Sequence, residues 1–369
     1  MTPSELYYFI CRCLAMDEDP EARQMIEDEI ASGNVPWEEF VWLGSSHFVL
    51  PALYSAFRRN RILPLLPNDL AEHLSSIYFI NEKRNGQIIE QAHKLIAILN
   101  SIGIEPVFLK GAGHLLQDLY FDPGDRIMSD IDILIPEDAL PKVAKILYEY
   151  GYFHPEEFKD DDFEKHHHLP GFEHKNEAAM VEVHHSVYPA NFQKILSNNE
   201  IYQEKKRIEG TSAWVLSVKH QQVLNFVHDQ LVDDGFRYKT MVIKGLYDFY
   251  LLARLNQKQG NVKPSIKRYN KQFNTYCSFV SGVFNNSDSA YLNENFSSRK
   301  FKSRFEYLLN HPKFSGLYQF IVLYSLRIPI ILKTFITAPF STQSRRYINK
   351  KAGSASAMKR YFRNLKNEF

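Results

Sequence analysis

The 369-residue chain has few cysteines, only Cys11, Cys13 and Cys277. A Cys-x-Cys pair with one distant partner builds neither a disulfide framework nor a zinc cluster, and it fits a reducing, cytoplasmic compartment. Net charge is nearly missing too. With 44 basic and 43 acidic residues the formal value is +1, so no global field draws nucleic acid to the chain. The opening Met1-Thr2-Pro3-Ser4-Glu5-Leu6 lacks a basic region followed by a long apolar one, and no secretory signal is expected. The apolar stretch 316–340 is interrupted by Arg327, Pro329 and Lys333. A spanning helix needs about twenty predominantly apolar residues, so this stretch reads as a buried helix pair and no spanning membrane segment is expected. Neither a Gly-x-Gly-x-x-Gly fingerprint nor a Gly-Lys-Ser/Thr loop occurs around the glycines at 111 and 113.

What is present is an ordinary globular composition, 44% hydrophobic and 24% charged, over a length sufficient for two or three lobes. Within it, Ser129-Asp130-Ile131-Asp132-Ile133-Leu134-Ile135 reads as a strand. Alternate side chains of a strand share a face, so Asp130 and Asp132 point together while Ile131, Ile133 and Ile135 enter the core. Two carboxylates one pleat apart suit a hard divalent cation that also binds substrate phosphates. Upstream, 104–109 reads as a short buried strand, Lys110-Gly111-Ala112-Gly113 as a turn, and His114 to Tyr120 as the helix it opens. Such a turn brings backbone N–H groups to an anion such as a triphosphate. Lys110 and Arg126 are the expected phosphate contacts, one a point charge and the other a fork.

A third acid is expected where two metals sit about 3.5–4 Å apart. In Ala179 to Tyr188 the alternation puts Glu182, His184 and Ser186 on one strand face, opposite Val181, Val183 and Val187. Glu182 is the candidate, with His184 able to orient it or the acceptor, and His185 pointing away. His166, His167 and His168 are adjacent and diverge, which suits a substrate-facing loop better than a zinc site. The acidic run Glu156, Glu157 and 160–162 reads as solvated loop.

Residues 109–120, 122–135, 166–170 and 181–184, taken together, resemble the uncharacterised nucleotidyltransferase group of the DNA polymerase beta-like superfamily over roughly residues 1–330. The resemblance implies an α+β fold, a mixed-sheet core flanked by N-terminal and C-terminal helical regions. It implies two magnesium ions, replaceable by manganese, and transfer of a nucleoside monophosphate from a nucleoside triphosphate such as ATP. Asp130 and Asp132 match the metal-binding pair and Glu182 the third acid. Lys110, Gly111, Gly113, Arg126 and Ser129 fall at the nucleotide side. The superfamily's first motif usually carries Gly-Ser or Gly-Gly where this chain has Gly111-Ala112-Gly113, and many members carry Asp in place of Glu182. The implied reaction is in-line attack of an acceptor hydroxyl on the α-phosphate, with pyrophosphate leaving.

The expected organisation is a helical cap at 1–100, the catalytic core at 101–210, a helical domain at 211–340 and a basic tail at 341–369. Trp37 to Phe57 reads as one amphipathic segment, Tyr78 to Leu99 as a long helix, 138–150 as a helix stopped by Gly151, and 217–232 and 238–256 as two more. His168, His184 and His228 are candidate acceptor-side groups, with Asp229, Asp233 and Asp248 either lining that pocket or decorating a helix surface. Trp214, Tyr247 and Tyr250 read as core or pocket walls. Arg345, Arg346, Lys350, Lys351, Lys359, Arg360, Arg363 and Lys366, interleaved with aromatics, form a tail suited to RNA, to anionic lipid or simply to solvent. Three functions follow: transfer to a small-molecule hydroxyl, transfer to RNA or protein, and a non-catalytic nucleotide-binding scaffold.

Overall fold

The computed structural model describes residues 1–155, 167–259, 266, 268–284 and 295–337. The acidic run at 156–162, His166 and the basic tail lie outside the described residues. Two compact units divide at residue 310, Met1–Asn310 and His311–Phe369.

The first unit begins with helices α1 (Pro3–Ala15), α2 (Pro20–Ala31), α3 (Trp37–Ser46), α4 (Leu50–Arg59) and α5 (Asn68–Ser101). α1 starts at a capping box in which Thr2 receives the Glu5 N–H and Glu5 reaches back to Thr2. The segment read as one amphipathic run is instead two helices, α3 and α4, bent by 120° at the break. Phe48, with φ +58, makes the corner.

A five-stranded mixed sheet follows, ordered β3-β2-β1-β5-β4. Its strands are β1 (Val107–Phe108), β2 (Asp130–Leu134), β3 (Met180–His184), β4 (Lys206–Arg207) and β5 (Trp214–Val215), with α6 (Lys110–Leu116), α7 (Leu140–Glu149) and α8 (Asn198–Glu204) between them. β2 runs antiparallel to β1 and parallel to β3, whose register sets Asp132 opposite Glu182. Strand alternation holds as expected, with Ile131, Ile133, Val181 and Val183 fully buried. The α+β architecture is therefore the one the sequence pointed to.

One helix positions both acid-bearing strands. Asn81 donates to the carbonyls of Gly124 and Arg126 at 2.6 and 3.1 Å, and Asn85 to those of Pro123 and Arg126 at 2.6 and 2.8 Å. One turn and a half further along α5, the Gln91 amide exchanges two hydrogen bonds with the Ala179 backbone at the entry to β3. The loop before β2 is also gripped by α4. Ser55 donates to Asp122 at 2.6 Å, and Arg58 bonds the same carboxylate at 3.0 Å.

Beside them Asp125 is buried, and that burial lifts its carboxyl to about 7. An acid held above its unfolded value stabilises the fold fully below about pH 4, and this contribution is lost as pH rises through 7. Between pH 5 and 8 the unfolding free energy is expected to fall by roughly 2 kcal/mol, and the melting temperature with it. In Asp125→Asn that slope should flatten. Equal slopes in thermal melts of the two proteins would show that Asp125 is not responsible.

The C-terminal helices of the first unit are α9 (Val218–Phe226), which continues as a π-helical turn over Val227–Val232, then α10 (Gly235–Tyr238), α11 (Ile243–Lys258), α12 (Asn270–Val283) and α13 (Phe296–Asn310). The reading of 238–256 as one helix is corrected, because Lys239 is left-handed at φ +57 and ends α10. In the second unit, α14 (Pro312–Thr337) runs unbroken through Pro329, so the expected buried helix pair is not formed. An interior proline can kink a helix as well as break it, and here the helix is not divided. Phe314, Leu317, Phe320, Ile321 and Ile336 are exposed on it. Among the described residues no single helix is long and apolar enough to cross a membrane.

Candidate active site

The floor of the site is built by β1, β2, β3 and the start of α6. Leu109 donates its N–H to the Asp132 carbonyl at 2.9 Å, which brings the next residue, Lys110, over β2. Lys110 adopts φ +47, a left-handed conformation that costs a non-glycine residue about 1 kcal/mol and is found where surrounding contacts over-determine the backbone. Its ammonium bonds Asp132 Oδ1 at 3.0 Å. The turn expected at 110–113 is already helix: α6 begins at Lys110 and ends at Leu116. Gly113 is a packing residue there, since a Cβ would lie 2.8 Å from the Phe108 carbonyl oxygen. Gly111 faces the cleft and Gly113 is not among the residues lining it.

Asp132 is the centre of the electrostatics. His184 Nε2 meets the same Oδ1 at 2.7 Å and lies 3.4 Å from Glu182 Oε2. Burial opposes the charge on Asp132, but Lys110 and His184 outweigh it and hold the carboxyl well below the usual carboxylate range. The His184 hydrogen bond likewise lowers Glu182. Burial pushes His184 down, yet its bonds to Asp132 and Glu182 win and raise it. Asp130 is raised, first by burial and then by the charge on Asp132.

Asp132, Glu182 and His184 each offer a donor atom within 4.8 Å of the others. Asp132 and Glu182 offer the carboxylate oxygens that a hard divalent cation takes, while His184, whose charged form is favoured, bonds both of them. The two carboxylates therefore fit the divalent metal that the resemblance implies. Asp130 stands one pleat away and lines the cleft, without belonging to that three-residue group.

The cleft, of about 420 Å³, opens between this floor and the C-terminal helices. One side carries Lys110, Gly111, Arg126, Ser129, Asp130 and Asp132. The other carries Gln221, Asn225, His228, Asp229, Lys244 and Asp248. Glu182, His184 and His168 lie outside this lining. The His168 and His184 rings are 5.0 Å apart, and His168 Nδ1 lies 2.6 Å from the Leu169 carbonyl. Burial drives both His167 and His168 down, His167 to about 3, which favours neutral rings packed behind the site.

Arg126, expected at the phosphates, is tied up instead. Its Nε lies 3.1 and 3.0 Å from the two Asp248 oxygens, and its terminal nitrogen 2.9 Å from Oδ2. Asp248 also accepts from Tyr120 at 2.9 Å, and Tyr120 meets His114 Nδ1 at 3.1 Å. The helix-surface reading of Asp248 is overturned, because its side chain is 3% exposed. Tyr247 and Tyr250 are core, whereas Trp214 sits in β5 and donates to Glu105 at 2.8 Å.

On the π-helical turn, His228 Nδ1 lies 3.4 Å from Asp229 and 3.3 Å from Asp233. Single π turns recur at functional sites because they are poor local geometry that only an outside advantage maintains. Asp229 packs so tightly over α11 that a Cβ on Gly245 would fall 1.8 Å from its Oδ2.

A family model described as "uncharacterised nucleotidyltransferase" matches residues 33–275, two thirds of the chain, and spans the whole of this site. The chain belongs to that nucleotidyltransferase family. No curated protein and no solved structure matches it. The match to this nucleotidyltransferase family agrees with the resemblance drawn from 109–135 and 181–184 and carries with it nucleotidyl transfer as the general chemistry.

Lys244 escaped the sequence reading of this nucleotidyltransferase. It occupies the first turn of α11, where the helix dipole disfavours a cation. Burial, and then Arg126, lower its ammonium. Among the described residues no carboxylate pairs with it, and its closest charged-ring contact is Phe48 at 4.9 Å. The signal was present in the spacing: Lys244 stands four residues before Asp248, on the same helix face.

Proposed function

We propose that this protein transfers a nucleoside monophosphate from a nucleoside triphosphate to a hydroxyl of a small molecule. The observation that supports it is that Asp132, which lines a cleft whose far wall presents Lys244, is paired in register with Glu182, which sits just outside that lining. Asp130, Asp132 and Glu182 are the carboxylates to hold divalent cations, magnesium or manganese in its place. Bound there, such cations would neutralise the triphosphate and lower the pKa of the attacking hydroxyl.

The residues divide the remaining work. Lys110 and Lys244 face the triphosphate from the two sides of the cleft, and Ser129 and Gly111 border it. As the acceptor oxygen bonds to the α-phosphorus, the bond from phosphorus to the bridging oxygen breaks and pyrophosphate leaves. The acceptor's proton passes to His228 Nε2, the ring nitrogen opposite the Nδ1 that faces Asp229 and Asp233. Arg126 acts through Asp248 as a brace between the sheet and α11.

A cleft of about 420 Å³ is on the scale of small-ligand sites. Residues 1–310 hold all but eleven of the 44 basic residues and all but one of the 43 acidic ones, a formal −9. Such a charge gives a polyanionic acceptor no long-range attraction.

The test is transfer of α-phosphate label from each nucleoside triphosphate into size-fractionated cell extract. Label confined to the small-molecule fraction is expected. Label in RNA or protein would replace this acceptor class, and no label with either metal would sink the catalytic reading. Separately, Lys244→Met is expected to weaken equilibrium binding of magnesium–ATP about tenfold or more, with Lys244→Arg near normal. Unchanged binding in Lys244→Met would remove that lysine from the phosphate site.

A further inference from the structure

The charge of this chain is divided along its length. Eleven of the 44 basic residues and one of the 43 acidic residues fall within 311–369, which therefore carries a formal +10 against the −9 of 1–310. The single acid, Glu368, is the next-to-last residue. That division coincides with the boundary between the two compact units.

The second unit combines the charge with an unusual helix. On α14, Phe314, Leu317 and Ile321 follow one another at spacings of three and four, and each is more than half exposed, as is Phe320. Their spacing continues in the sequence through Tyr324, Ile328, Ile331 and Phe335. A 26-residue helix with an apolar stripe, basic residues at Lys313, Arg327 and Lys333 and no acid has the composition of a helix lying in a membrane interface. The eight basic residues that follow, interleaved with Tyr347, Tyr361 and Phe362, supply what such a helix requires next to an anionic leaflet.

We infer that the second unit attaches this protein to an anionic phospholipid surface, with the α14 stripe entering the interface and the basic tail meeting the headgroups. RNA would satisfy the charge equally well. It would leave Leu317 and Ile321 with nothing to bury against, because nucleic acid offers stacking faces and phosphates rather than an aliphatic phase. The inference is independent of the transfer chemistry proposed for the first unit.

The experiment is flotation of the full chain with phosphatidylcholine vesicles, with and without phosphatidylserine. Binding is expected only when phosphatidylserine is present, and it should weaken as salt is raised. The variant Leu317→Ser, Ile321→Ser removes the stripe, and Arg345→Gln, Arg346→Gln, Lys350→Gln, Lys351→Gln removes half of the tail's basic residues. Each should reduce vesicle binding roughly tenfold or more while leaving the thermal melt of the first unit unchanged. Three outcomes overturn the inference: no flotation on either vesicle, flotation indifferent to phosphatidylserine and to the tail variant, or dimerisation through the stripe without lipid binding. Capture of a homopolymer RNA with no vesicle binding would assign the tail to nucleic acid instead.

Discussion

Asp132→Asn is expected to reduce nucleotidyl transfer about 1,000-fold or more, the rate equivalent of roughly 4 kcal/mol. The asparagine keeps the shape but loses the charge that Lys110 and His184 share at one oxygen. The fold should survive, since an amide still fits between the same partners. The loss should fall on kcat more than on nucleotide binding, because Lys110 keeps its charge for the phosphates and loses only the competing Asp132 carboxylate. Single-turnover transfer of α-phosphate label, measured beside equilibrium binding of magnesium–ATP, checks both parts. A variant that retained more than a tenth of the wild-type rate would rule Asp132 out of the chemistry.

The largest stability effect is expected at Asp248. Asp248→Ala leaves the Arg126 guanidinium buried without its carboxylate partner, and takes from the Tyr120 hydroxyl the carboxylate it donates to. Stranding one member of a buried pair typically costs about 3–5 kcal/mol, far more than an intact pair contributes. Denaturant unfolding should show that loss. The double variant Arg126→Met, Asp248→Leu should recover most of it, because apolar groups of similar size need no partner. It would nevertheless disturb the cleft wall, so stability would return without full activity. A single variant within about 0.5 kcal/mol of wild type would mean that water has taken the place of the carboxylate.

The acids were legible in the sequence for a simple reason. Strand alternation has a period of two, so Asp130, Asp132 and Glu182 could be assigned faces from the apolar residues between them, and the fully buried Ile131 and Val183 follow that alternation. Glycine was less informative. Gly113 carries the same letter whether it opens a turn or lets a helix press on a strand, and close packing against Phe108 is the use made of it. The Arg126–Asp248 pair was out of reach because 122 residues separate its members and each alone looks like surface charge. The π-helical turn leaves no mark either: Val227, Leu231 and Val232 keep an amphipathic pattern whichever helical hydrogen bond is made. Pro329 was over-read, since α14 continues through it.

Asn81, Asn85 and Gln91 make α5 the jig of the candidate site's floor. Through the loop before β2 and the residue that precedes β3, a single helix about 50 Å long clamps both acid-bearing strands. Any tilt of that helix carries Asp132 and Glu182 together, so their separation is preserved while their distance from the opposite wall changes. Activity in this architecture would be graded by the width of the cleft, with the spacing of the carboxylates held constant.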